Sequence, residues 1–291
     1  MEDLLFESVR YSVHSDSFDV AQLANYSLHL RIHQSCLTIG VFDAENNECL
    51  VLESYHYDTA QNTTALIVNL HNIVQKHSFL NAAFWKNVHI ISALPSFAFV
   101  PEGIHDEESK QNILSLISKF HQKKDNIHVH PKSGETELCF AIPKELEEWL
   151  SDMYSNSQVS YNHTTESFIV EANALFGNVL HCYIDVDTIL ITKSDDEKVR
   201  FANTFKYKTP QDLLYFVLFV LEELNIDQQE AEVVIWGEVD FHGESIKTLK
   251  KFINKVSAGT RPTDVRFAYQ FDQEPQEQTA IDIIGNMKLN K

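Results

Sequence analysis

From Tyr26 onward the apolar and polar side chains alternate. Leu28, Leu30 and Ile32 fall on one parity, with His29, Arg31 and His33 on the other. This is the period-2 signature of a strand with one buried face. After a short polar break at Gln34 and Ser35, the alternation resumes at Leu37, Ile39 and Val41, so the two segments read as a hairpin. Beyond the polar run Asp43-Ala44-Glu45-Asn46-Asn47, a third strand spans Cys49 to Tyr57. The period then changes. Leu66, Ile67, Leu70, Ile73 and Val74 recur at helical spacing, and Val88-His89-Ile90-Ile91 closes the unit as a buried strand.

The same order returns from Val179. Leu180, Cys182 and Ile184 alternate with His181, Tyr183 and Asp185; a break at Val186 and Asp187 follows, and Ile189 and Ile191 mark the return strand. Ser194-Asp195-Asp196-Glu197 forms the second turn, and Val199, Phe201 and Phe205 the third strand, which ends at Tyr207 as the first copy's ends at Tyr57. Thr209-Pro210-Gln211-Asp212 is a strong helix start: a Thr cap, Pro at the first helical position and an acid near the positive end of the dipole. That helix is apolar nearly all round from Leu213 to Leu221, which predicts burial between layers. Val233-Val234-Ile235-Trp236 matches Val88 to Ile91. Agreement in order, spacing and character identifies an internal duplication.

Three consecutive strands, then a helix and a parallel strand, give a mixed α/β sheet with helical cover. The segment between the copies carries its own elements. Ser96 to Pro101 reads as extended, Asp106 to His121 as a helix, and Asn126 to His130 and Glu137 to Ile142 as strands. A helix opens at Pro143, and another runs from Thr164 to Phe176. The expected boundary is near Gly177, giving domains of residues 1–177 and 178–291. In the polar tail from Gln273, the short patch Ile281, Ile283 and Ile284 fits either docking on the body or fraying.

Several stretches resemble the uncharacterised bacterial family called domain of unknown function 3822. They are Asn203 to Asp212 with Tyr215, Phe99-Val100-Pro101-Glu102, Phe140-Ala141-Ile142-Pro143-Lys144 and Tyr26 to Arg31. The resemblance covers most of the chain and implies an actin-like ATPase fold without an established activity. This agrees with the duplication, since two such units flanking a cleft form the actin-like, ribonuclease H-related architecture. A shared fold is an analogy and does not assign a function.

In the ATPases of this fold, phosphates sit in the two hairpin turns, where close backbone approach calls for glycine and an acid positions Mg²⁺. The first turn, His33-Gln34-Ser35, has neither. The second, Asp185-Val186-Asp187, keeps acids but no glycine, and the loop after the last strand retains one glycine in Trp236-Gly237-Glu238. The chain holds only 8 glycines and no Gly-x-Gly-x-x-Gly or P-loop. The expectation is a non-catalytic binding or scaffold protein with degenerate phosphate loops. The alternative is an atypical nucleotide-binding ATPase or phosphotransferase using Asp185, Asp187 and Gly237.

Composition narrows the partners. A net charge of −19 repels nucleic acid and anionic lipid, so neither is expected, whereas an unidentified protein partner is. Lys247, Lys250, Lys251 and Lys255 are expected to share one helix, as a solvated face. His128 and His130 share a strand face without an evident third ligand, so no metal or cofactor is expected. Cys36, Cys49, Cys139 and Cys182 are scattered, the last three within apolar runs, and Met1 to Glu7 lacks the features of a signal peptide. These point to a reducing, cytoplasmic setting, in which Asn62 and Asn162 are not glycan sites. Trp85 and Trp149 read as core or rim aromatics.

Overall fold

The computed structural model describes residues 8–101, 103–104, 106–118, 120–131, 136–172, 179–195 and 198–289. Two compact units emerge: Met1–Glu166 with Asp264–Glu274, and Ser167–Thr263 with Pro275–Lys291. The boundary expected near Gly177 and the end of its preceding helix at Phe176 lie outside the described residues.

In the first unit β1 (Ser8–His14), β2 (Ser27–Ile32), β3 (Cys36–Asp43) and β4 (Glu48–His56) precede helix α1 (Thr63–Lys76) and β5 (Asn87–Ser92). An inserted segment follows, with β6 (Phe97–Pro101), α2 (Glu107–Ile117), β7 (Asp125–Pro131), β8 (Thr136–Pro143) and α3 (Lys144–Met153). Strand β9 (Gln158–His163) completes the run, and helix α4 (Thr164–Ala172) carries the chain from the first unit into the second. The main sheet has the order β1-β4-β3-β2-β5-β9, and the insertion makes a separate sheet, β6-β8-β7. Helix α2 stops at Ile117, short of the expected His121, because Ser118 turns extended and its hydroxyl and N–H both bond back to the Leu114 carbonyl.

The second unit runs β10 (Val179–Ile184), β11 (Thr188–Asp195), β12 (Lys198–Lys206), α5 (Pro210–Glu223), β13 (Glu232–Gly237), α6 (Glu244–Leu249) and β14 (Lys255–Ala258). The chain then supplies β15 (Arg266–Phe267) to the first unit, parallel to β4 at Glu48 and Cys49. It ends in the second unit with α7 (Ile281–Leu289). Within the strand order β12-β11-β10-β13-β14, the run β12-β11-β10-β13 repeats β4-β3-β2-β5, with the same antiparallel, antiparallel and parallel pairings. The duplication expected from the sequence is therefore present in strand order and in the sense of each pairing.

Each copy's helix seats one stripe on its sheet. In α1 these are Leu66, Leu70, Ile73 and Val74; in α5, Leu213, Val217, Val220 and Leu221. Each such side chain contributes roughly 1.5–3 kcal/mol on leaving water. Helix α5 is not enclosed all round, contrary to its composition: Tyr215 stays 61% exposed and Phe219 37%. An all-apolar helix fixes no number of covering layers: the stripe at 213, 217, 220 and 221 is buried in the core, and Leu214, Phe216 and Leu218 pack against it only partly buried.

The central strands differ from expectation in the opposite sense. Alternation in β2 and β10 predicts one buried face, yet every residue of both is buried, His29, Arg31, His181 and Tyr183 included. In the second unit the polar face lies under α4 and α7. Phe168 packs edge-on to Tyr183, and Tyr183 donates its hydroxyl proton to the buried Asp282 at 3.0 Å. The tail patch docks, with Ile281, Ile283 and Ile284 fully buried. There α7 approaches α4 so closely that a Cβ at Gly285 would fall 2.0 Å from the Ser167 carbonyl oxygen.

The lysines do not share a helix. Only Lys247 lies within α6; Lys250 caps it, Lys251 follows in a turn, and Lys255 starts β14. The periodic pattern continued past Leu249, but Lys250 takes the cap position and its N–H bonds back to the Ile246 and Thr248 carbonyls.

Candidate functional site

The two hairpin turns share their backbone closure and differ in their side-chain bonds. In the first, the His33 N–H donates to the Cys36 carbonyl at 2.9 Å; in the second, the Asp185 N–H donates to the Thr188 carbonyl at 2.8 Å. The leading side chain of each then accepts from a backbone N–H inside its own turn. His33 Nδ1 takes that of Ser35, and Asp185 Oδ1 that of Val186. A tyrosine from the third strand's end closes each turn from outside. The Tyr57 N–H donates to the Ser35 carbonyl, and its hydroxyl lies 2.7 Å from the His33 carbonyl. The Tyr207 N–H donates to the Asp187 carbonyl, and its hydroxyl lies 2.9 Å from the Asp185 carbonyl. Burial, with the nearby Asp185 and Asp187 carboxylates adding to it, pushes the Tyr207 hydroxyl up to about 12.

Gly237 ends β13 directly beside Ile184, the residue before Asp185, so the three candidate residues meet at one end of the β10–β13 pair. The geometry gives that glycine a structural reason. Its φ is +98°, and a Cβ there would sit 2.0 Å from the Ile184 carbonyl oxygen. Its N–H donates to the Gln278 carbonyl at 2.9 Å, and its carbonyl accepts from Val239 N–H at 3.0 Å. The loop before α7 thus fastens the end of strand β13.

The other sequence candidates resolve as follows. His128 bonds to Glu147, and His130 to Glu166 at 2.7 Å; each is half-buried, with Phe140 stacked or edge-on to both rings. Each ring thus bonds to its own carboxylate, and the two do not share one acceptor. Trp85 is buried in the core, and Trp149 is half-buried. All four cysteines are buried thiols, and burial drives the Cys139 thiol up to about 11.

One polar cluster escapes sequence reading. The Glu53 carboxylate, 4% exposed, receives His14 and His77 at 2.6 Å each, the Ser12 hydroxyl at 2.9 Å and the Tyr55 hydroxyl at 3.0 Å. Burial works to raise its pKa. The bonds from His14 and His77, the charge of His77 and the Ser12 bond outweigh this and hold it well below the carboxylate range. A lone acid within the apolar run Cys49 to Tyr57 is the only sequence signal for it. Three further histidines are buried in the sheets. His89, His163 and His181 are all pulled down to about 4, in each case first by burial. The Trp236 indole N–H donates to His181 Nδ1 at 3.2 Å, which requires that nitrogen to be unprotonated.

Two repeated mixed sheets, each with the same strand order and turn construction, define an actin-like ATPase fold. A Bacteroides thetaiotaomicron protein described as having an actin-like ATPase fold and unknown function is similar over 93% of this chain and 98% of its own, with 19% identity and a TM-score of 0.76. The type IV pilus biogenesis complex PilM–PilN is similar at TM-score 0.57 and 10% identity, over 90% of this chain and 98% of the other. The ethanolamine utilization protein EutJ from Carboxydothermus hydrogenoformans is similar at 0.51 and 9% identity, over 94% and 92%. No curated protein matches the sequence. The chain belongs to the family described as Protein of unknown function (DUF3822), whose model matches residues 15–256. Among the described residues no helix is long and apolar enough to cross a membrane.

Proposed function

We propose that this chain is a non-catalytic actin-like protein, a binding or scaffold module that holds a protein partner. The observation that carries the reading is the closure of the phosphate positions by the protein's own groups. Phosphate cradles work by aiming unspent backbone N–H groups at oxygen. Here the N–H groups of Ser35 and Val186 are spent on their own turns, and that of Gly237 on Gln278. Two carboxylates, Asp185 and Asp187, add repulsion toward a triphosphate unless a cation lies between. The PilM–PilN complex offers a precedent for a partner on this fold. The four buried cysteines, none of them in a disulfide, support a reducing, cytoplasmic setting.

The alternative, an atypical nucleotide-binding ATPase or phosphotransferase, draws on the meeting of Asp185, Asp187 and Gly237 at one strand end. A Mg-ATP thermal-shift titration separates the two. A ligand at about 100 times its Kd stabilises by about 2.7 kcal/mol, which is several degrees in a chain of this size. A flat melting temperature up to millimolar Mg-ATP is expected. Saturable stabilisation that disappears in Asp185→Ala would overturn the binding-module reading in favour of the alternative.

A further inference from the structure

Strand β12 is the outer strand of the second unit's sheet and, among the described residues, pairs only with β11. None of its nine residues is buried. An edge strand sends half of its backbone N–H and C=O groups outward, where they pair with water or with an added strand. One outward group can be identified: the Thr204 N–H donates to the neighbouring Asn203 Oδ1 at 2.9 Å, a local acceptor that an incoming carbonyl can replace.

Two further properties set this edge apart. The first is charge. From Lys198 to Lys208 there are four cations (Lys198, Arg200, Lys206 and Lys208) and no acid, all four exposed, in a chain of net charge −19. Of the nearby acids, Asp195 pairs with Lys193 and with Arg200 of this edge, and Asp212 caps α5 by accepting the Lys208 and Thr209 N–H groups. The second is an aromatic strip running from the edge onto α5. Phe205 stacks on Phe216 at 4.7 Å between ring centres, and Tyr215 stacks on Phe219 at 6.2 Å. Within the motif that carries the family resemblance, Tyr207 closes a turn, and Thr209 and Asp212 form a capping box. Tyr215 stands 61% exposed, its ring stacked on Phe219.

Lysines on an edge ordinarily deter pairing between copies, since like charges opposite one another are destabilising. Two β12 edges meeting antiparallel would set cation against cation, so a second copy of this chain is the wrong occupant. The exposed rings show that the surface is not merely defended. We propose that the β12 edge and the strip beside it dock an extended, acidic segment of a partner protein. The segment adds as a further strand, with acidic side chains toward Lys206 and Lys208 and an apolar side chain on Tyr215 and Phe219. This deepens the binding-module reading and rests on it, yet its test is separate, because the nucleotide titration reads the turns and not this edge.

The experiment pans a displayed library of random nonapeptides on the immobilised full chain. An enriched peptide is then synthesised, its binding measured by fluorescence anisotropy, and amide hydrogen exchange followed in the complex. The expected result is a consensus alternating acidic and apolar residues, with slowed exchange along residues 198–206. Affinity should fall at least tenfold in K206E/K208E and in Y215A, whose side chains are exposed, so the fold is spared. No enrichment, a consensus without acids, protection away from β12, or affinity unchanged in K206E/K208E would overturn the proposal. So would a single-stranded DNA oligonucleotide that displaces the peptide, since that would make the edge a nucleic-acid surface.

Discussion

Replacing Gly237 by Ala should damage the fold of the second unit well beyond what one methyl group suggests. Gly237 holds a φ of +98°, where an L-residue costs about 1–3 kcal/mol. The new Cβ would also fall 2.0 Å from the Ile184 carbonyl oxygen, whereas carbon and oxygen rest at roughly 3.3–3.6 Å, so the strand ends must part by about 1.3 Å. That movement breaks the last β10–β13 rung and the Gly237–Gln278 bond, about 1 kcal/mol each. The expected loss is therefore about 3–5 kcal/mol, or on the order of 10 °C in melting temperature. Urea denaturation followed by tryptophan fluorescence reads it directly, because Trp236 precedes the site. Gly103→Ala is the internal control. Nothing lies within 4 Å of its Cβ position, so that variant should be neutral or gain about 0.4–1 kcal/mol. A loss below about 1 kcal/mol in Gly237→Ala would refute the claim that this glycine is held for close strand approach.

Three other outcomes are expected. His89, His163 and His181 ordinarily titrate at 6.5 and stay neutral in the fold down to about 4, so the unfolded chain takes up protons first. Stability should be full above pH 6.5 and fall between 6.5 and 4, by up to about 3 kcal/mol per histidine. A pH series of urea midpoints that stays flat across that window would contradict it. Tyr57→Phe and Tyr207→Phe should each cost about 1–2 kcal/mol, because each leaves turn carbonyls without their donor. Equal stability of both variants and the parent in thermal melts would remove the hydroxyls from the account. The four buried thiols should resist a thiol reagent in the native state and react together on unfolding, burial having raised both Cys139 and Cys182. Native-state labelling of either would contradict their placement.

The repeat was legible because its information is local. Period-2 and period-3.6 patterns mark individual elements, and two ordered sets of elements mark the duplication. The pattern likewise marks Tyr57 and Tyr207 as equivalent strand ends, but not their hydroxyl bonds, which depend on how each turn folds back. Gly237 is visible as a candidate, whereas its reason is not: Ile184 lies 53 residues away and meets it only through parallel pairing. The enclosure of β2 and β10 on both faces was hidden for a similar cause. Their polar residues look solvent-facing until a distant helix, α7 in the second unit, covers them with partners such as Asp282. The exposure of α5 is the converse, since hydrophobicity alone cannot say which side lacks a neighbour.

The order of the chain has a consequence for its synthesis. Strand β15 finishes the first unit's sheet against Glu48 and Cys49, yet it is encoded after nearly all of the second unit. A ribosome adding about 5–20 residues per second needs on the order of 5–20 s to make the stretch between Glu166 and Asp264. Throughout that interval the nascent first unit carries an open rung at the start of β4, and a transcript cut short before Asp264 never closes it. The half of the protein that is made first is thus among the last parts to be completed.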